Sequence, residues 1–117
     1  MGNMETVTSR DGTHIAYERS GEGPPLVLVH GTTAAHFTWE LVLPELQKHF
    51  TVYAIDRRGR GESGGTDYDY EIEREFEDVV TLIDSIGGTV GLLGHSYGAI
   101  CARGGPALRS GTRARTL

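Results

Sequence analysis

Ser96 lies between two glycines in Gly94-His95-Ser96-Tyr97-Gly98, directly after the apolar run "TVGLLG" and before "YGAICA", which can begin a helix. A G-x-S-x-G pentapeptide in a strand–turn–helix setting lifts a serine hydroxyl above the sheet. The nucleophile there adopts a strained backbone that only small neighbours tolerate. The chemistry implied is acyl transfer, with the backbone N–H of Tyr97 facing the oxyanion that develops on the substrate. A second oxyanion donor is expected from "HGTT", residues 30–33, which ends the run "LVLVH". Gly31 lets that loop fold back so that the N–H of Thr32 complements that of Tyr97, while His30 reads as a structural residue that hydrogen-bonds the loop.

A third segment, "DRRGRGESG" at 56–64, contains Gly59-x-Gly61-x-x-Gly64 after a strand-like run. Taken alone it matches a dinucleotide fingerprint. That fingerprint should pass straight into a helix at its glycines, whereas here the polar stretch "SGGTDYD" intervenes. The reading that remains is a structural turn, with Asp56 fixing the "RRGRG" loop.

A serine hydroxyl needs a base within about 3 Å to take its proton. Only 21 residues follow Ser96, and none is Asp, Glu or His. Among the earlier histidines, His95 is adjacent in sequence and projects the other way. His30 belongs to the oxyanion loop, and His14 and His49 sit at a hairpin and a helix end. His36 alone could overhang the cleft, with no acid placed to orient it. Cys101 reads as a small buried hydrophobe. No residue set calls for a metal or a cofactor.

The elements that must position these groups alternate. "METVTS" and "THIAYER" form an expected hairpin around "RDG". "LVLVH", "FTVYAID" and "TVGLLGH" are expected parallel strands buried on both faces. Between them, "TWELVLPELQKHF" reads as a helix with Thr38 as N-cap, kinked or shortened by Pro44. Residues 69–86 read as the clearest helix, with Ile72, Phe76, Val79, Val80, Ile83 and Ile86 in one stripe, acids at its start and Gly87 as terminator. This order implies an α/β fold with a mainly parallel sheet, a hairpin plus three parallel strands, flanked by helices.

The chain has 117 residues, enough for one domain, and a net charge of −5 that gives no reason to expect nucleic-acid binding. All sixteen acids lie at or before Asp84, while Arg103, Arg109, Arg113 and Arg115 crowd the end. A single cysteine suits a reducing cytoplasm, and no apolar run reaches membrane-spanning length. "MGNMET" matches the short N-myristoylation pattern, but the favoured reading is an ordinary unstructured start. Residues 1–102 read as domain. Residues 103–117, with four Arg and no acid, read either as a disordered tail or as GC-rich DNA translated out of frame.

Together the segments resemble the α/β-hydrolase fold family over residues 4 to about 102. "VLVHGTT" is similar to its oxyanion strand-loop, "YAIDRRGRGESG" to its D-x-R-G-x-G-x-S loop, and "LLGHSYGA" to its nucleophile elbow. The resemblance implies a serine hydrolase acting on an ester or similar small acyl substrate, with Ser96 as nucleophile and Thr32 and Tyr97 as oxyanion donors. His30, Gly31, Gly94, His95 and Gly98 support the motifs. The family's triad continues from Ser to Asp or Glu and then His. With neither after Ser96, the expectation is an incomplete fold that ends after the elbow and is inactive alone. "TVGLLGH" would then be an exposed apolar edge, open to aggregation or self-association, and the alternative function is a non-catalytic module using that edge.

Overall fold

The computed structural model describes residues 3–31, 39–65 and 72–94, together with the backbone of 114–116. Strands β1 (Asn3–Thr8) and β2 (His14–Gly21) form an antiparallel hairpin, with Gly12 at φ +91° in its turn. A positive φ at that position suits a residue without a Cβ. Strand β2 pairs antiparallel with β4 (Thr51–Ile55). Strand β4 pairs parallel with β3 (Pro25–Val29), and β3 pairs parallel with β5 (Val90–Gly94). With β6 (Ala114–Thr116) beside β5, the sheet runs β1-β2-β4-β3-β5-β6.

The unbroken apolar run of β3 follows from its place between β4 and β5. Val27 and Val29 point to one face, where they meet Ile55, Leu92, Val79, Leu82 and Ile83. Leu26 and Leu28 point to the other, against Trp39, Val52 and Ala54. These four side chains are at most 1% exposed, so a polar residue at any of them would enter a core. Helix α2 (Ile72–Ile86) covers the first face, and the short helix α1 (Leu43–Leu46) lies with the cluster on the second. Both faces of the sheet are therefore covered, as the alternation of strands and helices implies.

Helix α2 buries Val79, Val80, Leu82 and Ile83, and leaves Ile72, Phe76 and Ile86 half-buried. Residues 69–71 of the predicted span lie outside the described residues. The helix ends as expected: Gly87, at φ +79°, donates its N–H to the Ile83 carbonyl at 3.2 Å.

Three expectations need correction. The first helix does not run from an N-cap at Thr38, which lies outside the described residues. It begins at Leu43 after the uncapped Val42, with Pro44 in its first turn. Proline has no N–H to donate and its ring clashes with the carbonyl four residues earlier, so the helix cannot extend far ahead of it. Next, the parallel part of the sheet has four strands, since β6 adds to the expected three. Lastly, β5 is not an open edge throughout. Val90, Gly91 and Leu92 pair with Ala114, Arg115 and Thr116, so backbone groups of the stretch read as a disordered or out-of-frame tail cover most of it. An unpaired strand edge exposes backbone donors and acceptors, and a neighbouring extended segment satisfies them.

Candidate functional site at the carboxyl edge of the parallel strands

Strand register gathers the predicted segments. Val29 is paired with Ile55 on one side and with Gly94 on the other, so β3, β4 and β5 end level. His30 and Gly31 follow the first strand, Asp56 to Gly64 the second, and the G-x-S-x-G pentapeptide begins at the last residue of the third. In an open α/β sheet, ligands bind outside this carboxyl edge. Ser96, Tyr97, Thr32, His95 and Gly98, and with them His36 and Cys101, lie outside the described residues. His14 and His49 are exposed.

His30 is fully buried. Its Nε2 accepts the backbone N–H of Arg57 at 2.9 Å, and its Nδ1 lies 2.6 Å from the Gly31 carbonyl oxygen. An amide N–H only donates and a carbonyl only accepts. Both contacts are satisfied at once by a neutral ring with its proton on Nδ1. Burial holds the imidazole below its ordinary pKa, and the Arg57 and Arg60 charges add to that, against the opposing Gly31 hydrogen bond and Asp56. His30 therefore ties the end of β3 to the end of β4, the structural part that its place in the loop suggested.

Asp56, also fully buried, organises the glycine-rich turn. Its carboxylate accepts the Glu62 N–H at 2.9 Å, and its carbonyl accepts the Ser63 hydroxyl. Ser63 Oγ in turn accepts the Ala16 N–H at 2.8 Å, which joins the turn to β2. The Gly59 N–H goes to the Gly64 carbonyl and the Gly64 N–H to the His14 carbonyl, both at 2.8 Å. The N–H groups of Arg60 and Ser63 are likewise bonded within the turn. A phosphate cradle needs such groups pointing outward. Here those of Gly59, Arg60, Glu62 and Ser63 are bonded within the turn and that of Gly64 to β2, as a structural turn requires.

Behind the turn lies a cluster of charges that sequence reasoning missed. Arg57 forks onto Glu75 of α2, with Nε–Oε1 at 2.6 Å and Nη2–Oε2 at 2.8 Å, and both side chains are almost wholly buried. Arg58 makes the same bidentate contact with Asp78, at 2.7 Å for each bond, and reaches Asp11 of the hairpin turn at 2.8 and 3.2 Å. Ser9 donates its hydroxyl to Asp78 at 2.5 Å. The Arg58 guanidinium holds the Asp11 carboxyl well below the usual carboxylate range. Burial pushes Asp78 upward, partly offset by the bonds from Arg58 and Ser9. Glu75 is one of the acids at the start of the helix, where the sequence suggests no more than a favourable charge for the helix end. The signal was its spacing: Glu75 and Asp78 are three apart, on the flank of the apolar stripe that carries Val79 and Leu82. Acids on a buried face call for buried cations, and "DRRGRG" holds two adjacent ones.

Comparison with known proteins agrees with this arrangement. Residues 26–116 match the model of the alpha/beta hydrolase family. The chain is 37% identical over 109 residues to N-formylmaleamate deformylase from Pseudomonas putida, covering 86% of this chain and 41% of that protein. It is 36% identical over 93 residues to a soluble epoxide hydrolase from Corynebacterium sp., covering 79% of this chain and 32% of that one. Among solved structures, an alpha/beta hydrolase from Sphaerobacter thermophilus superposes with a TM-score of 0.83 at 44% identity, over 96% of this chain and 44% of that one. The chain thus spans less than half the length of these relatives. Among the described residues no helix is long and apolar enough to cross a membrane. With a level carboxyl edge, two-sided core, family-model match and these relatives, the chain belongs to the alpha/beta hydrolase family.

Proposed function

We propose that this chain carries the nucleophile and oxyanion half of a serine hydrolase for a small ester or similar acyl substrate. The observation that supports the reading is the pairing of Val29 with both Ile55 and Gly94, which sets His30 and Gly31 after one strand level with Gly94, the first residue of the serine pentapeptide, at the end of its neighbour. Ser96 Oγ attacks the substrate carbonyl, and the N–H groups of Thr32 and Tyr97 stabilise the oxyanion. Collapse expels the leaving group with a proton and leaves an acyl ester on Ser96, which water hydrolyses to the acid.

The residue type at 96 favours acyl over epoxide chemistry, although relatives of both kinds exist. A serine acylated by substrate forms an ester, which water cleaves. A serine alkylated by an epoxide would form an ether, which water does not cleave under mild conditions, so turnover would stop. The setting is a reducing cytoplasm, as the single cysteine suggests. The alternative, a module that self-associates by strand addition, loses support from the pairing of β6 along Val90–Leu92.

Stoichiometric labelling with a fluorophosphonate, read by intact mass, tests the proposal without requiring turnover. The expected result is one adduct per chain, located on Ser96 and absent from Ser96→Ala. Equal labelling of both chains, or none, would sink it.

A further inference from the structure

We propose that the outer edge of β1 is an interaction surface whose partner is a second copy of this chain, the two β1 strands pairing antiparallel about a two-fold axis at Thr6. Strand β1 ends the sheet, and among the described residues nothing pairs with its outer side. This edge lies across the sheet from β5, with β2 between it and the strands of the candidate site. The inference therefore stands apart from the hydrolase reading.

The hydrogen bonds of the hairpin fix which backbone groups point outward. The Ser9 N–H goes to the Thr13 carbonyl at 2.8 Å, so these two residues form a bonded pair. Bonded and non-bonded pairs alternate along an antiparallel ladder, which makes Val7 with Ile15, Glu5 with Tyr17 and Asn3 with Arg19 bonded pairs as well. The far side of β2 agrees, since the His14 and Ala16 carbonyls accept the N–H groups of Gly64 and Asp56 and not those of β1. Met4, Thr6 and Thr8 therefore direct their N–H and C=O groups away from β2. Such a row is a template for strand addition, which native edges blunt with lysine, proline or a bulge. Strand β1, "NMETVT", has no basic residue and no proline, and its register runs unbroken from Asn3 opposite Arg19 to Thr8 opposite His14. Its one charge, Glu5, is turned toward its own hairpin, accepting the Tyr17 hydroxyl at 2.9 Å and lying 2.8 Å from Arg19.

A second copy fits this edge best in one register. With the axis at Thr6, Thr6 of one copy faces Thr6 of the other and Met4 faces Thr8, so every outward N–H and C=O of these residues is bonded on both copies. Glu5 then faces Val7 and meets no like charge. An axis at Glu5 would set two carboxylates opposite each other and leave Thr8 beyond the end of the partner strand. An axis at Val7 would leave Met4 unpaired. The side chains of Met4, Thr6 and Thr8 share one face and are exposed, so nothing in the hairpin obstructs the pairing. Facing threonines are a favourable cross-strand pair, and the Thr8 methyl covers part of Met4, an exposed large apolar side chain. An unrelated extended peptide would meet the same backbone groups without this match of side chains, which favours a copy. One short strand edge buries little area, so the dimer is weak and dissociates on dilution.

Charge at position 6 tests both the partner and the register. Sedimentation equilibrium of the full chain, from micromolar to millimolar concentration, should show monomer passing to dimer. Thr6→Lys and Thr6→Glu change an exposed side chain, and in each the like charges meet across the axis. Each variant alone should lose the dimer, and an equal mixture of the two should regain it, because Lys then faces Glu. A chain that stays monomeric at every concentration, or a dimer that persists in both variants, would overturn the inference. So would a mixture that stays monomeric while both variants melt like the unsubstituted chain. Amide exchange in the unsubstituted chain is a check that needs no variant to fold. The N–H groups of Met4, Thr6 and Thr8 should exchange more slowly as concentration rises, while those of Glu5 and Val7, already bonded to β2, should not change. Slowing of the second set in place of the first, or slowing confined to other strands, would overturn the proposal.

Discussion

The backbone N–H of Arg57 donates to Nε2 of His30 at 2.9 Å, so two residues 27 apart in sequence lock the ends of β3 and β4 together. The bond requires the neutral ring, because a protonated imidazole has no lone pair to offer. Burial keeps the folded-state pKa below the ordinary 6.5, so between the two values the unfolded chain binds the extra proton. The contribution of His30 to stability is then fully present above about pH 6.5 and is lost as pH falls toward the lower folded value. Urea midpoints measured between about pH 7.5 and about pH 5 should fall across this window, while His30→Asn should show a shallower fall. An equally steep fall in the variant would assign the effect to other groups.

Removing Glu75 should be among the most damaging single changes outside the hydrophobic core. Glu75→Leu leaves the buried Arg57 guanidinium without its carboxylate from α2, which costs about 3–5 kcal/mol for a broken buried pair. Replacing both partners, with Arg57→Met added, should recover much of that loss, since two apolar side chains need no counter-charge. Denaturant titration of the two single variants and the double variant measures this directly. Additive losses would contradict it.

Asp11 and Asp78 hold adjoining edges of the same guanidinium and share its Nη2, yet they should not be equal. Asp78 is buried and its carboxylate also receives the Ser9 hydroxyl, whereas the Asp11 side chain is 31% exposed. Asp78→Ala should destabilise by about 3 kcal/mol or more. Asp11→Ala, at a site where water can replace the lost partner, should cost about 1 kcal/mol or less. Because Arg58 holds the Asp11 carboxyl low, the Asp11 contribution is present above its unfolded pKa and is lost only in strong acid. Comparison of denaturation midpoints for the two variants decides the order.

Gly61 lies at φ +55°, and a Cβ added there would run into the Asp56 carboxylate. Gly61→Ala must therefore adopt a disfavoured backbone and push aside the acceptor of the Glu62 N–H. A loss of about 1–3 kcal/mol is expected from the strain and the disturbed turn together. Gly87→Ala makes a control, since it shares a positive φ, +79°, but meets no atom within 4 Å. Its loss should be smaller, about 1 kcal/mol. Thermal melts of the two variants test the difference, and equal losses would show that backbone strain alone matters.

Much of this protein can be read from the order of its residues. The apolar run "LVLV" pointed to a strand covered on both faces, because it is short, half β-branched and closed off by Pro25 before it and Gly31 after it. The stripe along residues 72–86 and the glycine after it defined α2 and its end, since helical periodicity and a left-handed cap are local properties. The three motif segments, at 30–33, 56–64 and 94–98, could be recognised for the same reason. Which strand lies beside which could not. That β3 sits between β4 and β5, with Val29 level with both Ile55 and Gly94, is a matter of long-range pairing. The pairing of β6 with β5 belongs to the same class, and it covers most of an edge that local composition left open. The tertiary structure alone matched Arg57 with Glu75, Arg58 with Asp78 and Asp11, and His30 with the Arg57 backbone. Charges attract any opposite charge at sequence level; burial decides which pairs form, because only a closely bonded partner offsets the loss of water.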